Sequence, residues 1–165
     1  MRYLGNFLLQ ILPVSKLFGF KRALARAMGI QAAPGACING HTWFYGNGPI
    51  SIGRGTWIGP GCKFYSSPKA GISIGANCDI APGVSFVTGS HEVGTPERRA
   101  GKGFSKPIVV GDGSWIGTGA HVLGGVTIGK GVLVGAGALV RSDIEDGVLA
   151  AGVPATAIRS FEARP

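Results

Sequence analysis

An all-β fold, a parallel β-helix of triangular section, is what the 165-residue sequence predicts, and three observations predict it. Large apolar residues recur at every sixth position, small residues stand four places after them, and glycine far exceeds its ordinary share. The recurring slots are Ile52, Ile58 and Phe64, then Ile74, Ile80 and Phe86, then Val110, Ile116, Val122, Ile128, Val134 and Val140. In a chain that is 45% hydrophobic, twelve apolar residues in twelve slots arise by chance about once in ten thousand. Four places on come Thr56, Cys62, Cys78, Val84, Ser114, Ala120, Val126, Val132 and Ala138. The 30 glycines are roughly 18% of the chain, against about 7% ordinarily. Seven follow an apolar slot directly: Gly53, Gly59, Gly75, Gly111, Gly117, Gly129 and Gly135.

Residues 1–35 read as an N-terminal helical segment. Met1 to Pro13 is apolar but shorter than the roughly 20 residues a bilayer span needs. A secretory leader places its positive charge ahead of the apolar stretch, whereas here only Arg2 precedes it and Lys16, Lys21, Arg22 and Arg26 follow. A cytoplasmic protein is expected, with a basic helix over Ser15 to Met28. The β-helix follows over 36–154. Each hexad supplies one short strand and one tight corner. The large side chain points into a narrow core, the slot four later admits only a small one, and the glycine relieves the backbone where it bends. Three hexads make an 18-residue coil, so Val110 should lie under Ile128, and Ile116 under Val134.

The period breaks twice. Tyr65 to Gly71 forms a small excursion, and Val87 to Pro107 an extended polar loop, because its in-phase slots, Glu92 and Arg98, are charged. Ala150 to Pro154 ends the repeat and 155–165 reads as a C-terminal cap.

Cys37, Cys62 and Cys78 are odd in number and lack a C-x-x-C spacing, which predicts small buried thiols in a reducing compartment. The formal charge of +8 is scattered and largely N-terminal, without an aromatic stacking platform, so no nucleic-acid partner is expected. His41, His91 and His121 lie 50 and 30 residues apart, which argues against a shared metal. His91, in the long loop, is the candidate for catalysis. His121, read at the outer corner of a hexad, and His41 are expected to be solvated.

Four segments carry a family resemblance: TGSH at Thr88–His91, KPIVVGDGSWIG at Lys106–Gly117, GGVTIGKGVLVGAGALV at Gly124–Val140 and AGVPA at Ala151–Ala155. In this order, over roughly residues 48–160, the chain resembles the left-handed β-helix hexapeptide-repeat acyltransferases. Within them it looks most like small sugar and exopolysaccharide O-acetyltransferases of the maltose, galactoside and colanic-acid kind. The resemblance implies left-handed winding, acetyl-CoA as donor, a homotrimer, and active sites in clefts between subunits. It gives His91 the role of general base toward a sugar hydroxyl. It carries coenzyme A contacts over to Thr118, Ala136, Arg141, Ser142 and Arg159, the arginines suiting phosphate, and leaves Trp115 either to wall the pantetheine channel or to pack between coils. No metal is implied.

Glu97, Arg98 and Arg99 in the loop are the acceptor-side candidates. Galactoside-type members place an asparagine and an acidic residue where this chain has Gly59 and Ser67, which departs from a simple galactoside acceptor. The alternative is a non-catalytic β-solenoid with a structural or interaction role. The basic, apolar N-terminus reads first as a helix packed on the end of the solenoid, with peripheral contact with the inner membrane face as the second expectation.

Overall fold

The computed structural model describes residues 2–161, so 162–165 of the expected cap lie outside the described residues. Alternation within each short strand decides which side chains enter the core. All twelve apolar slots are at most 2% exposed, as are the nine small residues four places later. Val110 pairs with Ile128 and Ile116 with Val134, in parallel, as an 18-residue coil requires.

The chain winds repeatedly through three faces. Gln31–Ala32, Ile50–Ile52, Ile72–Ile74, Ile108–Val110 and Thr127–Ile128 stack on the first. The second runs from Cys37–Ile38 through Trp57–Ile58, Asp79–Ile80, Trp115–Ile116 and Leu133–Val134 to Val148–Gly152, where Ala155–Ser160 turns back antiparallel. Trp43–Tyr45, Lys63–Tyr65, Ser85–Val87, His121–Leu123 and Leu139–Val140 make the third. Inside this face Phe44, Phe64 and Phe86 stack with ring centroids 5.1 Å apart at each step.

The stack includes a coil ahead of the repeat legible from Ile52. Ala32, Ile38 and Phe44 pair with Ile52, Ile58 and Phe64. Their hexads were camouflaged because Ala33, Asn39 and Tyr45, not glycine, follow the slots.

The role read for those glycines needs correcting. A Cβ on Gly117 would come within 2.6 Å of the Ala136 nitrogen and the Val134 oxygen, and one on Gly111 within 2.6 Å of the Gly129 carbonyl carbon. These glycines are required by the backbone of the next coil pressing against them, not by a bend. The bend falls two residues later, where Gly113 and Gly119 take φ of 70° and 68° and Asn77 takes 53°. Gly117→Ala is therefore expected to cost about 1–3 kcal/mol through forced displacement of a coil, measurable as a lowered denaturation midpoint.

Two helices close the N-terminal end, where a bare coil would expose unpaired strand groups. The basic helix read over Ser15 to Met28 is α2, Phe18–Ala27, and the apolar stretch before it forms α1, Arg2–Ile11. The Asn6 side chain substitutes for a missing strand: it donates to the Phe44 carbonyl and accepts the Phe44 N–H, both at 3.0 Å. Arg22 donates to the Ala36 carbonyl at 3.1 Å and Arg26 to that of Ala32 at 2.7 Å. Arg2 donates to the carbonyls of Met28, Gly46 and Gly48. No described helix is long and apolar enough to cross a membrane.

Candidate active site

Departures from the 18-residue coil all occur at one corner. First-face partners are 20 residues apart from Ala32 to Ile52, 22 from Ile52 to Ile74, 36 from Ile74 to Val110 and 18 from Val110 to Ile128. The extra residues follow Phe44, Phe64 and Phe86, where the chain passes from the third face to the first. The two visible breaks in the period already held this signal, since both follow the third slot of a coil.

The polar loop is a two-stranded antiparallel hairpin, Gly89–Thr95 with Arg98–Ser105, closed by Pro96 and Glu97. Its sequence conceals this because both faces are solvated and no apolar alternation marks them. Thr88, only 1% exposed, pins its root. The Thr88 hydroxyl accepts the Ser67 N–H and donates to the Tyr65 carbonyl, each at 3.1 Å. The Lys106 N–H reaches the Thr88 carbonyl at 2.9 Å, and the Ser67 and Ser105 hydroxyls bond at 2.7 Å.

His91 sits on the third strand position from this root, opposite Gly103. A Cβ on Gly103 would lie 3.7 Å from the imidazole Nε2, so the ring reaches across the hairpin over a residue without a side chain. The exposed ring borders an open hollow of about 600 Å³ shared with Ser67, Lys69, Ser90, Phe104 and Ser105. Lys69, Ser90, Phe104 and Ser105 escaped the sequence reading, and Ser67 entered it only as a departure from the galactoside pattern. Of these lining groups, the imidazole is the one equipped to act as a general base.

The other candidates are more dispersed. Thr118 and Ala136 occupy consecutive coils at the corner between second and third faces, the Gly137 N–H bonding the Thr118 carbonyl at 2.8 Å. Trp115 projects from the second face between Asp79 and Leu133, 53% exposed. Arg159 lies on that face's last strand, opposite Leu149, with its guanidinium 5.2 Å over the Phe161 ring. Arg141 and Ser142 follow the third face, at the corner from which the hairpin leaves. One face of three-residue strands, about 10 Å, separates the two groups, so one chain does not gather the six residues into one place.

Thr95 pairs with Arg98 on the face of the hairpin that carries His91, about 13 Å further along. Arg99 points to the other face and Glu97 stands in the turn. Hydrogen bonds from its own backbone N–H and from the Thr95 side chain hold the Glu97 carboxyl below its usual range.

His121 is not at a corner. It opens the strand His121–Leu123 and faces outward, its Nδ1 2.5 Å from the hydroxyl of Ser85 on the coil before. His41 is exposed in a turn at φ 61°, and its N–H reaches the Leu9 carbonyl at 2.9 Å. Burial pushes the Cys62 thiol up to about 12 and raises that of Cys78, which disfavours the thiolate at both, whereas Cys37 is only half-buried, contrary to expectation.

Comparison with known proteins follows the same geometry. The bacterial transferase hexapeptide (six repeats) matches residues 107–142, and the hexapeptide repeat of succinyl-transferase matches 49–86. Galactoside O-acetyltransferase of Escherichia coli is 37% identical over 122 residues, covering 70% of this chain and 60% of that protein. An acetyltransferase with hexapeptide repeats from Vibrio cholerae, solved with acetyl coenzyme A, superposes with a TM-score of 0.79 at 28% identity, over 97% of this chain and 87% of that one. A galactoside acetyltransferase solved in complex with coenzyme A has a TM-score of 0.78 at 26% identity, over 96% and 80%. The matched stretch spans between 47% and 61% of the length of the first three curated relatives. With its coils, its interrupted corner and these likenesses together, the chain belongs to the hexapeptide-repeat acyltransferases.

Proposed function

We propose that the chain is an acetyl-CoA-dependent O-acetyltransferase, a left-handed β-helical homotrimer of the cytoplasm that modifies a hydroxyl of a sugar or polysaccharide precursor. The observation that carries this reading is His91, held across Gly103 at the edge of a hydroxyl-lined hollow. Neighbours of the same fold solved with acetyl coenzyme A and coenzyme A support the donor. The galactoside O-acetyltransferase relative supports a sugar acceptor.

In this mechanism the imidazole of His91 accepts the proton of the sugar hydroxyl as its oxygen attacks the thioester carbonyl. A C–O bond forms, and a backbone N–H at a glycine-rich corner stabilises the tetrahedral oxyanion. The C–S bond then breaks, and the imidazolium returns its proton to the departing thiolate. The protein needs no thiol of its own, which agrees with the buried positions of Cys62 and Cys78.

The homotrimer reading draws support from the split between donor candidates. Two copies side by side can set the Thr118 and Ala136 corner of one against the hairpin corner of the next. Trp115 would wall the donor channel, while Arg141, Ser142 and Arg159 meet the phosphates. Glu97, Arg98 and Arg99, at the hairpin tip, would touch a saccharide extending beyond the modified residue.

Calorimetric titration with acetyl-CoA tests the donor without knowledge of the acceptor. Saturable binding near one molecule per chain is expected. A folded protein that binds none would instead leave the non-catalytic solenoid.

A further inference from the structure

We infer that the N-terminal end of the solenoid is a docking surface for an anionic lipid bilayer, with α1 lying in the plane of the interface. This deepens the peripheral contact expected from the sequence by assigning it to one surface. Residues 3, 4, 7 and 11 fall within about 100° around a helix axis. In α1 they are Tyr3, Leu4, Phe7 and Ile11, exposed by 85%, 61%, 58% and 64%. The opposite side of the same helix, Gly5, Asn6 and Leu9, is the buried one. So α1 presents a stripe of large aromatic and aliphatic side chains that its own fold leaves uncovered. Leu17 in the linker and Phe20 in α2 are also exposed, by 54% and 55%.

Charge identifies the occupant. The first 78 residues contain eight lysines and arginines and no aspartate or glutamate. The remaining residues contain eight of each sign, so the whole formal charge of +8 belongs to the N-terminal half. Several of these cations, Arg2, Arg22 and Arg26 among them, are held on backbone carbonyls at the helical end, with no acidic partner among the described residues. Their positive charge therefore lies at the same end of the solenoid as the apolar stripe. An apolar stripe within a field of one sign suits a surface of lipid headgroups with negative charge. A second copy docked end to end would bring two such fields together, which is unfavourable.

The orientation has a consequence for the hollow beside His91. The hairpin leaves the third coil, two strand spacings from the first, with the helical layer beneath. That places His91 about 20 Å from the bilayer surface. Such a height suits a saccharide carried on a lipid headgroup rather than the lipid chain itself.

Co-sedimentation of the full chain with phosphatidylglycerol-containing vesicles, against vesicles of phosphatidylcholine alone, tests this. Binding to the anionic vesicles is expected, weakened by added salt. Combined Leu4→Ser, Phe7→Ser and Ile11→Ser should lower it by about 100-fold or more. Lys16→Glu should lower it with the apolar stripe intact. Circular dichroism and acetyl-CoA titration of the same variants separate loss of docking from loss of fold or of donor binding. Equal sedimentation of the original and triple-variant chains would overturn the assignment. So would absence of vesicle binding together with self-association, seen by sedimentation velocity, that the triple variant abolishes.

Discussion

His91→Ala is expected to lower acetyl transfer by about 10²–10⁴-fold while leaving acetyl-CoA affinity nearly unchanged. The magnitude is that of losing a positioned general base. The selectivity follows from the proposed division of roles, in which His91 on the hairpin serves the acceptor hydroxyl while Trp115, Thr118, Ala136, Arg141, Ser142 and Arg159 hold the donor. The residue opposite is glycine, so truncation removes the ring without disturbing a packed neighbour. The measurement is thiol release from acetyl-CoA against a panel of saccharides, with titration of the donor in parallel. Unchanged turnover in the variant would remove His91 from the role of base. Loss of turnover and donor binding together would make its role structural.

Phe64→Ala is the substitution expected to cost most in stability, about 3–5 kcal/mol. Phe64 is fully buried, and its ring lies between Phe44 and Phe86 at 5.1 Å on either side. Truncation leaves a cavity and removes two aromatic contacts at once. A solenoid offers little repair, because each coil rests only on its neighbours. The damage also lies beside Tyr65, whose carbonyl accepts the Thr88 hydroxyl that pins the hairpin root. Denaturant titration should show the loss directly. Ile158→Ala, at a position 60% exposed, serves as the control and should stay within about 0.5 kcal/mol.

The two substitutions probe parts of the molecule that were unequally legible. Phe64 could be assigned to the core from spacing alone, since inward direction repeats with the hexad. The candidate site required more. His91 stood out as a histidine in a charged interruption, and the family resemblance supplied its role. Ser90 adjoins His91 within TGSH, but Phe104 and Ser105 come beside it only when the polar loop folds into a hairpin, and Lys69 only when the excursion after Phe64 lies beneath the one after Phe86. His121 illustrates the same difficulty: its partner Ser85 is 36 residues away, and nothing local joins them.

By itself the sequence determined the repeating unit, the side chains that enter the core, the length of a coil and the places where regularity stops. Those properties are local. They follow from strand alternation and from the volume available on each flat face, so a six-residue window reveals them. Tertiary structure decided what depends on the contact of one coil with the next. It showed that Gly111 and Gly117 are glycine because a neighbouring backbone leaves no room for a Cβ. It gathered the three insertions at one corner, raised the polar loop into a hairpin over Gly103, and set Asn6 against the open edge at Phe44. Outside the hairpin, such contacts join residues about 20 to 40 positions apart, a separation that only the closed stack brings within bonding distance.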